Sequence, residues 1–144
     1  MSTKTKPDLS ITTTDHPNAI RIRKAFAAFG AGDLDTVRAS MTENCTWTNV
    51  GSSVIAGSFQ GWDAIVGMFG RLLETTGGTF TMSVLSTLAD DDRAVAVYDA
   101  TSTINGRTDT QRFVLIDEMT PEGKVSATQV LAYDQARADA HFAG

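Results

Sequence analysis

Residues 93–119 read RAVAVYDATSTINGRTDTQRFVLIDEM, two β-prone runs joined through Asn105-Gly106. An Asn-Gly pair between such runs is the strongest short hairpin signal, because both turn residues must take positive φ. Alternation along the first run puts Ala96, Tyr98 and Ala100 on one face. In the second, Phe113, Val114, Leu115 and Ile116 are apolar on both faces, as a central strand covered on both sides requires. TFTMSVLSTLA, residues 79–89, and KVSATQVLAY, residues 124–133, flank the hairpin across the turns DDD and TPEG. Four strands in this order predict an antiparallel sheet.

Upstream the period changes. Asp15 followed by Pro17 marks a helix start, and Ile22, Phe26 and Phe29 form one apolar stripe. Gly30 and Gly32 stop that helix. Asp33 caps a short second one whose Leu34, Val37 and Met41 face inward. CTWTNV, residues 45–50, reads as a strand with Cys45, Trp47 and Asn49 on one face, followed by a glycine-broken loop. Trp62, Ile65, Phe69 and Leu72 then repeat at helical spacing until Gly77-Gly78, and QARADAHFA closes the chain as a last helix. Helices followed by a curled antiparallel sheet define an α+β class. Residues 1–14 are expected to be a flexible tail, and residues 15–144 a single domain. A sheet curled round a helix encloses a cavity of the kind small ligands favour.

Bulk properties exclude several functions. A net charge of −5 argues against nucleic acid or an anionic membrane as partner. Cys45 is the single cysteine, so no internal disulfide or cysteine-based metal knuckle can form, which fits the cytoplasm. The polar N-terminus MSTKTKPDLSITTTDHPN is neither a signal peptide nor a membrane anchor. Asp90-Asp91-Asp92 reads as a hairpin turn, since three consecutive acids do not converge on one cation. His16 and His141 are expected at the surface, and Cys45 as a small buried apolar residue. GSSVIAG lacks the lysine of a phosphate loop. No cofactor and no metal are expected.

The stretches AFAAFGAGDLDTVRASMTENCTW, AGSFQGWDAI, GGTF with LADDDRAVAVY, EGKV and YDQARADAHFA occur in that order. With them the chain resembles the nuclear transport factor 2-like superfamily, in its SnoaL-like, ketosteroid-isomerase-related branch, over residues 17 to 143. The resemblance implies a cone, a strongly bent sheet wrapped on the first long helix, with a deep apolar pocket and a homodimer. It also implies a choice among isomerases, polyketide cyclases, epoxide hydrolases, dehydratases and non-catalytic binding modules, which fold alone does not make. Carried over by position, the ketosteroid isomerase base falls on Asn49, and its oxyanion donors on Ala25 and Leu115. None of these can do that chemistry. The aromatic and asparagine with which limonene epoxide hydrolases hold a water match Trp47 and Asn49, but their acid relay falls on Tyr98, Ala100 and Val130. The acid of SnoaL-type cyclases also falls near Val130, where Gln129 and Leu131 supply none either. The family's well-known acids are missing at every carried-over position.

The expected site is therefore built on hydrogen bonds. Asn49 and Tyr98 should share one polar corner and polarise a ligand oxygen between them. Phe29, Trp47, Met68, Phe69, Phe113, Leu115 and Val130 should supply the walls, and Thr128 should complete the polar cluster. The function expected is binding of a hydrophobic or aromatic small molecule by a cofactor-free cyclase, hydrolase or isomerase-type enzyme of secondary metabolism. The alternative is a non-catalytic carrier, or a dimerisation scaffold. Arg112, Val114, Ile116, Leu131 and Tyr133 alternate onto the outer sheet face, which predicts a homodimer through it.

Overall fold

The computed structural model of the chain describes residues 15–143. The expected tail, residues 1–14, lies outside them. The elements run α1 (Pro17–Gly30), α2 (Leu34–Ala39), β1 (Met41–Asn49), β2 (Gly57–Gln60), α3 (Trp62–Thr75), β3 (Thr81–Ala89), β4 (Arg93–Ile104), β5 (Arg107–Met119), β6 (Val125–Ala132) and α4 (Gln135–His141). The strands form one curved sheet in the order β2-β1-β6-β5-β4-β3. This is the α+β cone.

Asn105 and Gly106 take φ of 53° and 78°, so β4 and β5 are joined by the predicted tight hairpin. Asp90 Oδ1 accepts from the backbone N–H of Asp92 and Arg93, both at 2.8 Å, and shapes the β3–β4 turn. Three expectations about the secondary structure need correction. The helix α1 is capped by His16, whose Nδ1 accepts from the Asn18 N–H at 3.0 Å, and not by Asp15. The glycine-broken loop contains a short edge strand, β2, because Gly57–Gln60 can pair with Thr46–Asn49 where its sequence has no strand signature. The sheet is not wholly antiparallel either: β1 runs parallel to β6, joining the first and last strands of the chain. A pairing so distant in sequence leaves no local trace.

Small residues decide how α1 seats. On the inner face of β4, Ala94, Ala96 and Ala100 are buried and cluster with Ala19 and Ile22 of α1. Their small side chains let the helix approach the strand. A second cluster, with Cys45, Ile65, Met68 and Phe69, packs α3 over β1. Cys45 is buried as expected. His141 is not at the surface: it is buried, with Nε2 2.9 Å from Ser102 Oγ. That bond fastens the end of α4 against β4, a partnership that an isolated C-terminal histidine does not advertise. No described helix is long and apolar enough to cross a membrane.

Candidate functional site

Between α1, α3 and the inner faces of the central strands lies a cavity of about 120 Å³. Phe29, Trp47, Asn49, Met68, Phe69, Tyr98, Phe113, Leu115, Thr128 and Val130 all reach it. Register explains how. Trp47 of β1 pairs with Thr128 of β6, which pairs with Asp117 of β5. One pleat along, Asn49, Val130, Leu115 and Ala96 form the next inner row.

The side chain of Asn49 is occupied. Its Oδ1 accepts from Trp47 Nε1 at 2.8 Å, and its Nδ2 donates to the Ile55 carbonyl at 2.8 Å. It locks the indole, which meets Phe69 edge-on at 5.1 Å, and ties the 50–56 loop to β1. Tyr98 lies three strands away, in the row of Phe113 rather than that of Leu115. Its ring stacks on Phe113 at 5.6 Å and takes the edge of Phe26 at 4.9 Å. No hydrogen bond joins Asn49 to Tyr98, and the phenol has no partner among the described residues. Burial pushes the phenol pKa up, so it remains a donor.

A residue that sequence reasoning missed holds the centre. Asp117 is 5% exposed, lines the cavity, and accepts a 2.6 Å hydrogen bond from Thr128 Oγ1. Burial pushes its carboxyl up to about 7; the Thr128 bond opposes this and neighbouring Glu118 adds to it. Its other oxygen has no partner among the described residues and is not sealed in, so it opens to the cavity. The carried-over positions themselves hold no acid, but the cavity does. An acid stands on the penultimate strand, one pleat beyond Leu115 and on the same face. The sequence did hold a signal: the inward period Phe113, Leu115 continues to Asp117 in RFVLIDEM. Cys45 feels the same environment, with burial first and Asp117 second raising its thiol to about 11.

The mouth is bordered by the loop 50–56 and α4, which are tied to each other. Ser52 N–H donates to Asp139 Oδ1 at 3.1 Å, Val54 N–H to the Phe142 carbonyl at 3.2 Å, and Gln135 Nε2 to the Val50 carbonyl at 3.0 Å. Gly51, at φ 116°, lies so close to Asp139 and Gln135 that a Cβ would overlap them. Chemically, the site is an apolar chamber holding one carboxyl that can give or take a proton near neutrality, and one phenol that can donate.

Comparison with known proteins agrees with this architecture. The SnoaL-like domain model matches residues 22–128, and the chain belongs to that family. It is similar to Bal32a, from a soil-derived mobile gene cassette, at 32% identity and TM-score 0.81, covering 87% of this chain and 95% of that one. TerC, co-crystallised with polyporic acid, shares the fold at 19% identity and TM-score 0.78, covering 89% of this chain and 99% of that one. Protein Rv0034 of Mycobacterium tuberculosis is 28% identical over 104 residues, 72% of this chain and 79% of the relative.

Proposed function

We propose that the protein is a cofactor-free enzyme that binds a hydrophobic, ring-containing small molecule and moves a proton next to a carbonyl group of it. The observation that carries this reading is Asp117, a carboxyl buried in an apolar chamber, held by Thr128 and raised to about 7. A carboxyl near neutrality is populated in both forms, so it can donate to a carbonyl oxygen and accept from a carbon acid within one cycle. Retaining it in an apolar cavity costs stability, which favours use over packing. Tyr98 supplies a second donor, and Asn49 positions Trp47 and the loop at the mouth. TerC, which shares the fold, was co-crystallised with polyporic acid, and that supports a small-molecule occupant here. The reaction class is that of a cyclase or isomerase acting through an enol.

The test is exchange of the protons beside the carbonyl of 2-tetralone in heavy water, followed by NMR. Exchange above the buffer rate, lost in Asp117→Asn, is the expected result; exchange equal in both proteins would sink the assignment. A second reading, binding without turnover, is favoured by the structural bonds of the Asn49 amide, whose Oδ1 and one Nδ2 hydrogen are held by Trp47 and Ile55. It predicts a bound ketone that does not exchange. We place the protein in the cytoplasm, on the strength of its single free cysteine. We also propose a homodimer. Leu88, Val95, Val97, Val114, Ile116 and Leu131 form paired apolar rows on the outer sheet face, and Tyr133 beside them is 81% exposed. Light scattering showing only monomer at micromolar concentration would refute it.

A further inference from the structure

We infer that the cavity selects uncharged ring compounds carrying an acceptor oxygen, such as ketones, lactones or quinones, and rejects carboxylates of the same size. The inference rests on the reading of Asp117 as the group that faces the ligand.

Charge is the first argument. Among the described residues, no lysine, arginine or histidine lines the cavity. Its ionisable side chains are Asp117 inside, Asp139 at the mouth and the Tyr98 phenol, and each of these becomes negative when it ionises. A ligand carboxylate would lose its water against apolar walls and find no cation to offset the loss. Once Asp117 ionises, the two negative charges would also share one chamber.

Hydrogen-bond supply is the second argument. A buried anion without a cation needs several N–H donors, and most of those near the cavity are engaged. Trp47 Nε1 is held by Asn49, one Asn49 Nδ2 hydrogen by the Ile55 carbonyl, Ser52 N–H by Asp139 and Val54 N–H by the Phe142 carbonyl. What remains is the proton of Asp117, the hydroxyl of Tyr98, the second Asn49 Nδ2 hydrogen and the hydroxyl of Ser53, whose oxygen accepts from the Ile55 N–H. All are uncharged donors, suited to a neutral acceptor oxygen.

Binding of such an oxygen therefore favours protonated Asp117. The groups that bear on this carboxyl are few. Cys45 on β1 is within its electrostatic reach, Thr128 bonds it from β6, and Glu118 is its neighbour on β5; Asp139 is the charged group that α4 brings to the cavity. Helices α1 and α3 line the chamber with apolar side chains alone. Nothing in this set rewards ionisation except the Thr128 bond. Ketone binding should then take up a proton above pH 7, and its affinity should fall by up to about tenfold per pH step there.

The test is calorimetric titration of the whole protein with 2-acetylnaphthalene and with 2-naphthoate, which share one ring system, at pH 5.5, 7 and 8.5. The expected result is ketone binding, with naphthoate weaker by about a hundredfold or more at pH 8.5, and proton uptake with the ketone at that pH. Asp117→Asn should flatten the pH dependence for the ketone, because an amide donates at every pH. The measurements on the unaltered protein decide the matter even if that variant does not fold. Equal affinity for the two probes overturns the selectivity while leaving the ligand cavity in place. Ketone affinity that is flat from pH 5.5 to 8.5 overturns Asp117 as the donor. Binding of neither probe overturns both this inference and the reading on which it rests.

Discussion

Asp117 should make the protein less stable as the pH rises through the neutral range. Its carboxyl has an ordinary value of 3.8 and sits at about 7 in the fold. Below pH 4 it is protonated in the folded and unfolded chains alike, and the burial costs no charge. Between pH 4 and 7 the unfolded chain ionises while the folded one keeps its proton, so stability drains away with each pH step. Above 7 both are ionised and the loss is complete. Three pH units at 1.36 kcal/mol each give about 4 kcal/mol. Asp117→Asn keeps the size and the contact with Thr128 but has nothing to ionise. The assay is urea unfolding of both proteins from pH 4.5 to 8.5, with the difference in ΔG plotted against pH. The variant should gain on the parent by about 1.4 kcal/mol per pH unit between roughly 5 and 7, with a plateau above. A total of about 4 kcal/mol is a large share of a domain's whole stability, so this carboxyl would be retained against a steep cost. A flat difference across pH 5 to 8 would refute the argument. It would mean that the carboxyl is solvated in the folded chain and cannot hold its proton near neutrality.

Asn49→Ala removes the partner of the Trp47 indole and the tie to Ile55, leaving two part-buried polar groups unpaired. It should cost about 1–3 kcal/mol in urea melts and shift the tryptophan emission. Tyr98→Phe should cost within about 0.5 kcal/mol, because the phenol has no partner among the described residues to lose. The same variant should weaken ketone binding in calorimetry, separating a ligand-facing hydroxyl from a structural one. Cys45, buried and raised to about 11, should react with a thiol reagent at pH 8 orders of magnitude more slowly in the folded chain than in urea. Fast labelling of the folded protein would show that β1 opens readily beneath α3.

Much of the cone was written locally. The hairpin at Asn105-Gly106, the alternation in β4 and the stripe of Ile22, Phe26 and Phe29 each depend on residues close in sequence, so their physics is complete within a short window. Alternation also assigned Asn49, Tyr98, Leu115 and Thr128 correctly to the inner face. What alternation cannot supply is the neighbour. Facing inward is a property of one strand, whereas sharing a corner depends on strand order and register across four. The parallel pairing of β1 with β6 sets Trp47 beside Thr128, and the β5–β6 register sets Thr128 beside Asp117. Those contacts join residues about 80 apart in the chain to residues 11 apart. The same register sends the Asn49 amide to Trp47 and Ile55 and leaves Tyr98 among Phe26 and Phe113. Asp117 shows the difference most sharply. In the sequence it is one of 17 acidic residues, with an inward parity and nothing more. Its proton is held near neutrality only because distant segments close over it and take away the water. Desolvation is a sum over everything nearby in space, and no stretch of chain contains that sum.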